Sequence, residues 1–168
     1  VTAVEKQIAS REAKKQALRI VDWVDVHKVH TYTALADWHE IETKQLGAKL
    51  KEQYPSIVIE TSAISSDAPI PTTQFDVIVV PVLGFDDLGY RIGLGRGWYD
   101  RFLSTQTKAY KVGLAYCWGR PVVIPHDAHD VALDVIIAVY ALNQGSSRKW
   151  LSLFHILRCH RHAGSGFR

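Results

Sequence analysis

The chain has 168 residues, of which 47% are hydrophobic and 22% charged, and a formal net charge of +3. That is the length and composition of about one globular domain, which excludes a disordered chain and a small disulfide-stapled scaffold. No uninterrupted apolar stretch approaches the roughly 18 to 20 residues a bilayer crossing needs, and the opening VTAVEKQIASREAKK lacks a signal peptide's apolar centre, so the expectation is a soluble, cytoplasmic protein without a membrane partner.

Residues 5 to 23 favour helix formers, and Ile8, Ala17, Leu18, Val21 and Trp23 give a loose apolar stripe over a Lys/Arg/Glu face, which predicts an amphipathic helix. VHKVHTYTAL (26 to 35) is rich in β-branched and aromatic residues and predicts a strand, after which HEIETKQLGAKLKEQY (39 to 54) returns to helical spacing through Ile41, Leu46 and Leu50. Pro55 breaks that helix, SIVIET (56 to 61) is a short strand, and 62 to 73 is a polar loop holding two prolines. FDVIVVPVL (75 to 83) is the nearly continuous β-branched run of a strand covered on both faces, with Pro81 marking its exit. A helix over 98 to 107, a strand AYKVGLAYC (109 to 117) and a last apolar strand ALDVIIAVY (132 to 140) follow. Strands alternating with helices predict an α/β fold, a three-layer Rossmann-like domain with a mainly parallel sheet, over residues 1 to 144.

Beyond Gln144 the composition changes, and 145 to 168 read as a basic, poorly ordered tail. Arg148, Lys149, Arg158, Arg161 and Arg168 lie there with no acid, so the rest of the chain carries −2 and general nucleic-acid affinity is not indicated; any such binding is weak and belongs to the tail. His155, Cys159, His160 and His162 crowd together without a standard structural zinc spacing, and Cys117 and Cys159 form no C-x-x-C pair. Valine in first place and the absence of methionine point to a processed chain, an incomplete N-terminus or a non-standard start.

The informative stretch is GYRIGLGRGWYDRFL (89 to 103), in which Gly93, Gly95 and Gly97 alternate with side-chain-bearing residues just after a buried strand. Such a loop allows unusual backbone angles and close approach to a bulky anion. A helix starting near Trp98 would aim its unpaired N–H groups at the same spot, Arg91, Arg96 and Arg101 would add positive charge, and Asp100 could hold a hydrated magnesium beside phosphates. The plainer reading is a tight turn with a solvated basic rim, and for glycine alternation alone the two weigh about equally. Neither the lysine-containing P-loop pattern nor the spaced dinucleotide fingerprint is present.

Taken whole, DVIVVPVLGFD (76 to 86) followed by YRIGLGRGWYDRFL (90 to 103) resembles the signature of the 5-formyltetrahydrofolate cyclo-ligase family, also called methenyltetrahydrofolate synthetase. KVGLAYCWGRPVVIPHDAHDVALDVIIA (111 to 138) resembles the family's later block with its Pro-x-Glu-x-His-Asp element, and HEIET (39 to 43) its Glu-Val-Asp/Glu-Thr element. The resemblance implies a NagB/RpiA/CoA-transferase-like fold and an ATP- and Mg2+-dependent ring closure of the reduced folate 5-formyltetrahydrofolate to 5,10-methenyltetrahydrofolate, releasing ADP and phosphate. It implies ATP-loop roles for Arg91, Gly93, Gly95, Arg96, Gly97, Trp98 and Tyr99, with Arg96 and Tyr99 nearest the chemistry. Asp100 and Asp130 take the magnesium positions, while Glu40 and Trp98 contact the folate. Without the family pattern, Asp130 reads as a turn-capping acid and Glu40 as a solvated acid at a helix start.

The chain departs from that pattern at four places. Trp98 stands where a tyrosine is usual, the span from Ser56 to Gln74 that should help line the folate pocket is short, and the usual Thr-Glu is missing at Ala138 and Val139. Lys15 and Arg19 fit the spelling of the family's phosphate-binding basic pair but lie closer to Glu40 than the family arrangement. The competing functional readings are a diverged nucleotide- or folate-binding regulatory module without turnover, and a nucleic-acid-associated protein acting through its tail.

Overall fold

The computed structural model describes residues 2 to 35, 40 to 62, 68 to 93, 97 to 117, 123 to 140 and 154 to 158. Helix α1 (Ala3–Ile20) opens with a capping box, in which the Thr2 hydroxyl accepts from the Glu5 N–H and the Glu5 carboxylate accepts from the Thr2 N–H. Its buried stripe is Ala9, Ala13 and Ala17 at four-residue spacing, small side chains that let the helix lie close to its neighbours. The larger Ile8 and Leu18 of the predicted stripe are only partly buried.

Then follow β1 (Lys28–Tyr32), α2 (Lys44–Gln53), β2 (Val58–Ser62), β3 (Val77–Val82), the two-residue strands β4 (Gly84–Phe85) and β5 (Arg91–Ile92), α3 (Trp98–Thr105), β6 (Tyr110–Tyr116), β7 (Val135–Val139) and β8 (Phe154–Arg158). The main sheet runs β2-β1-β3-β6-β7-β8, parallel throughout except for β8, which pairs antiparallel with β7. The α/β class with a mainly parallel sheet is as the sequence indicates. Side chains alternate across it: Val29, Val77, Val79, Val112, Leu114, Val135 and Ile137 face the α1 and α2 side, and Ile78, Val80, Val82, Ala115, Ile136 and Ala138 face α3. Both faces are covered, which is why these strands read as unbroken apolar runs.

Two predictions change here. Pro81 lies inside β3, opposite Leu114, not at its exit; β1 pairs β3 only as far as Ile78, so beyond that point one side of β3 has room for a residue without an N–H. The separate tail at 145 to 168 is corrected in part, because Phe154–Arg158 closes the sheet along β7, with Ile156 packed against one core face and Leu157 against the other.

The chain leaves β1 toward β2 on one side and later returns through β3 on the other. The crevice at the β1/β3 boundary, beyond the carboxyl ends of those strands, is therefore the switch point where an open parallel sheet binds ligands. The segment after β1 carries Glu40 and the segment after β3 carries the glycine-rich loop, so the fold brings the two sequence blocks to one place.

Candidate functional site

On the β1 side, Glu40 does not open a helix. Residues 40 to 43 are tied to the end of β1 instead: the Tyr32 hydroxyl donates to the Ile41 carbonyl at 2.7 Å, and the Thr43 hydroxyl donates to the Tyr32 carbonyl at 2.7 Å. That commits the Thr43 side chain and delays α2 to Lys44. Glu40 is only 7% exposed, and its Oε2 accepts from the Leu35 N–H at 2.8 Å. Burial raises its pKa, partly countered by that hydrogen bond and by Lys6. A cleft of about 670 Å3 opens between α2 and the β1 and β2 strands, with Thr31, Thr61, Glu42, Lys44 and Lys51 among its walls; Glu40 does not line it. That volume lies within the roughly 300 to 1,000 Å3 of small-molecule sites.

On the β3 side, the chain doubles back through the β4–β5 hairpin, whose turn is organised by Asp86. One of its carboxylate oxygens accepts from the Leu88 and Tyr90 N–H groups at 3.0 and 2.9 Å, the other from the Ile124 N–H at 3.4 Å. The turn closes at Gly89, where φ is +89°, a conformation that favours glycine. The hairpin is thereby bound to residues 124 to 133, the segment that holds Asp130. The Leu133 N–H donates to the Gly89 carbonyl at 2.9 Å, and the Tyr90 ring stacks on His126.

Arg91 completes the joint. Its Nη1 donates to the Val131 carbonyl at 2.9 Å and its Nη2 to Asp100 Oδ1 at 2.9 Å, with the guanidinium side chain only 5% exposed and lying 5.7 Å from the centre of the Tyr99 ring. Asp100, in the first turn of α3, also faces the Val131 N–H at 3.5 Å. Asp130 sits one residue away from that contact, and its Oδ2 accepts from the Asp127 N–H at 2.8 Å. Asp100 and Asp130 are thus brought to one region, and among the described residues no third His, Cys, Asp or Glu joins them in a cluster.

Gly93 has nothing within 4 Å of where a Cβ would stand, so its side of the loop faces open space. Gly97 has φ +61° and precedes α3, and a Cβ there would come within 3.3 Å of Arg101 Nη1, showing that the exposed Arg101 side chain reaches back to Gly97. Gly95 and Arg96 lie outside the described residues.

Of the two aromatic neighbours of this loop, Trp98 is buried and Tyr99 half-buried with its hydroxyl turned inward. The Tyr99 hydroxyl has no hydrogen-bond partner among the described residues, and its pKa is pushed well above 10, first by burial and then by nearby Tyr32 and Glu40, against the pull of Arg91. Trp98 is 2% exposed, donates its Nε1–H to the Ala68 carbonyl at 2.9 Å and packs among His30, Tyr99 and Phe102. A face presented to ATP or folate is therefore corrected for Trp98: its ring belongs to the core under the loop. Arg91, to which the resemblance gives an ATP-loop role, has both terminal nitrogens hydrogen-bonded inside the protein, to the Val131 carbonyl and to Asp100.

Asp86, Tyr90, His126 and Val131 are the residues that sequence reasoning left without a role. The Phe-Asp turn was visible, but the partner of Asp86 lies 38 residues away, and two of the ties use only backbone atoms of Val131.

The segments that carry Glu40, Gly93, Asp100 and Asp130 thus stand around the switch point, the place where open parallel sheets of α/β proteins bind ligands. Residues 59–139 match the family model described as the 5-formyltetrahydrofolate cyclo-ligase family, so the resemblance read from the sequence holds over the stretch that builds most of this site. Among curated relatives, the 5-formyltetrahydrofolate cyclo-ligase of Mycoplasma pneumoniae is 34% identical over 93 residues, covering 53% of this chain and 56% of that protein. The mouse protein of the same name is 36% identical over 73 residues, covering 40% and 36%. The chain thus matches about half the length of the first of these relatives, and less of the second. Solved structures of 5,10-methenyltetrahydrofolate synthetases share the fold: one from Mycoplasma pneumoniae has a TM-score of 0.65 at 22% identity, covering 81% of this chain and 88% of that one. One from Aquifex aeolicus has a TM-score of 0.63 at 23% identity, covering 89% of each.

Proposed function

We propose that the chain catalyses the ATP- and magnesium-dependent cyclisation of 5-formyltetrahydrofolate to 5,10-methenyltetrahydrofolate, with release of ADP and phosphate. The observation that carries this reading is that the family match over 59–139 contains the hairpin, the glycine-rich loop, α3 and the Asp130 segment, the elements the fold gathers at its switch point. The cytoplasm, where the sequence reading places the chain, is part of the proposal.

The residues present fit the groups this reaction needs. The open side of Gly93 leaves space for a bulky anion against the backbone, and two carboxylates suit a hard, hydrated cation that keeps most of its waters. In this reading, ATP supplies the phosphoryl group that turns a poor leaving oxygen of the formyl group into a good one, while magnesium offsets phosphate charge. Gly93, Gly95 and Gly97 let the loop close on the phosphates, Arg96 binds their oxygens, and Asp100 and Asp130 hold the metal.

Glu40 lies at the folate end, where its buried carboxyl, with its pKa raised, can meet the polar edge of a reduced pterin. Tyr99 stays a neutral phenol, so it orients a reacting oxygen or amine as a hydrogen-bond donor and does not act as a base. Positioned donors and charges of this kind are what phosphoryl transfer chiefly requires, and a protein nucleophile is not part of the scheme.

The test is turnover with 5-formyltetrahydrofolate, ATP and magnesium, followed by absorbance of the methenyl product. ATP binding without turnover would favour the regulatory-module reading.

A further inference from the structure

Arg91 reads in the sequence as a phosphate ligand, yet in the structure its two terminal nitrogens are hydrogen-bonded to the Val131 carbonyl and to Asp100 Oδ1. We propose that Arg91 is a positioning residue of the metal site, tying Asp100 on α3 to the backbone beside Asp130 and so fixing how the two carboxylates stand to one another. The inference rests on the proposed magnesium roles of those aspartates.

Three features of the geometry carry it. First, one planar guanidinium bridges two elements that are far apart in sequence, a side chain on α3 and a carbonyl 31 residues later, both at 2.9 Å. A guanidinium can do this with fixed angles, whereas an ammonium is a single point that satisfies one acceptor well and the other poorly. Second, the bridge engages Asp100 through Oδ1, and the Val131 N–H reaches that same atom from the other element, so the orientation of the carboxylate is set by Arg91 and Val131 together. Third, the Arg91 strand is itself immobilised against the same segment by Asp86, Gly89 and Tyr90, so it is a rigid post and not a mobile arm. Hydrogen-bonded partners of metal-ligating carboxylates commonly set metal affinity by about 10-fold to 100-fold without touching the ion.

The experiment compares the full chain with Arg91→Lys and Arg91→Gln. Mn2+ serves as a paramagnetic probe of the metal site in the presence of ATP, and calorimetry measures ATP binding in EDTA. The expected result for Arg91→Lys is an Mn2+ dissociation constant raised by about 10-fold or more, with metal-free ATP affinity unchanged within about two-fold. Loss of metal-free ATP affinity in both variants would instead make Arg91 a phosphate ligand and overturn the proposal, as would unaltered Mn2+ binding in Arg91→Lys. Should a variant fail to fold, as its melting curve would show, Asp86→Asn loosens the same joint from the other side and must weaken Mn2+ binding in the same selective way. If Mn2+ binding survives Asp100→Asn and Asp130→Asn, the proposed metal roles themselves fail, an outcome separable from failure of the Arg91 assignment.

Discussion

Tyr90 and His126 lie face to face, with ring centroids 3.6 Å apart and planes 13° from parallel, and join the hairpin before the glycine-rich loop to the segment carrying Asp130. The His126 ring is held from behind by its Nδ1, 3.0 Å from the Ile124 carbonyl, next to the N–H that Asp86 accepts. The stack therefore belongs to the same joint as Arg91. Replacing His126 with alanine should cost about 0.5 to 1.5 kcal/mol of stability, the usual worth of such ring pairs, measured by denaturant unfolding. A cost indistinguishable from zero would show that the stack contributes nothing to the joint.

A second prediction concerns packing under the site. A Cβ added at Gly113 on β6 would stand 2.7 Å from Leu133 Cδ1, 3.0 Å from Val82 Cγ2 and 3.2 Å from Ile136 Cγ1. Three core side chains cannot all withdraw, so Gly113→Ala should destabilise the fold by about 1 to 3 kcal/mol, the range for overpacked cores. Wild-type stability in this variant would mean that the core at this point is looser than its contacts imply.

His30 gives the fold a pH dependence. It is wholly buried among Phe75, Trp98 and Phe102, and its Nε2 lies 2.9 Å from the Ser62 hydroxyl, while Nδ1 has no partner among the described residues. Burial lowers its pKa from 6.5 to about 4, with Glu60 opposing. Between those values the unfolded chain takes up a proton that the folded chain refuses. The stabilisation is therefore complete above about pH 6.5 and is lost as pH falls toward 4, by about 3 kcal/mol in all at about 1.4 kcal/mol per pKa unit. Urea unfolding across this window should show that slope in the native chain and lose most of it in His30→Gln; equal slopes would remove His30 from the account.

Much of the fold was legible because β3, β6 and β7 are buried on both faces and announce themselves as apolar runs, each observed strand lying inside its predicted span. The short β4 and β5 strands were not, since two residues show no periodicity and the hairpin is organised by long-range acceptance at Asp86. Strand β8 was hidden by its setting: Ile156 and Leu157 sit among basic and histidine residues, and only pairing with β7 gives them two core faces to fill. At the site, glycine spacing and the order of acids were readable from residue types. The inward turn of Arg91 and the burial of Trp98 were not, because an arginine and a tryptophan in a glycine-rich loop look the same whether they face a ligand or the core.

The role of β8 can be tested directly. Removing residues 146 to 168 deletes the antiparallel partner of all five β7 residues, along with the packing of Ile156 and Leu157. Stability should fall by more than about 2 kcal/mol, on the scale of two partly buried apolar side chains together with a strand ladder. An unchanged unfolding midpoint would return this segment to a dispensable tail.

The most direct test of the central claim is a single turnover experiment: the chain with 5-formyltetrahydrofolate, ATP and magnesium, read simultaneously for the methenyl absorbance and for released phosphate. The account predicts both signals in equal amounts, each abolished when ATP or magnesium is omitted, and a lower kcat without loss of ATP binding in Tyr99→Phe. ATP bound with neither signal appearing, or phosphate released without methenyl product, would contradict it.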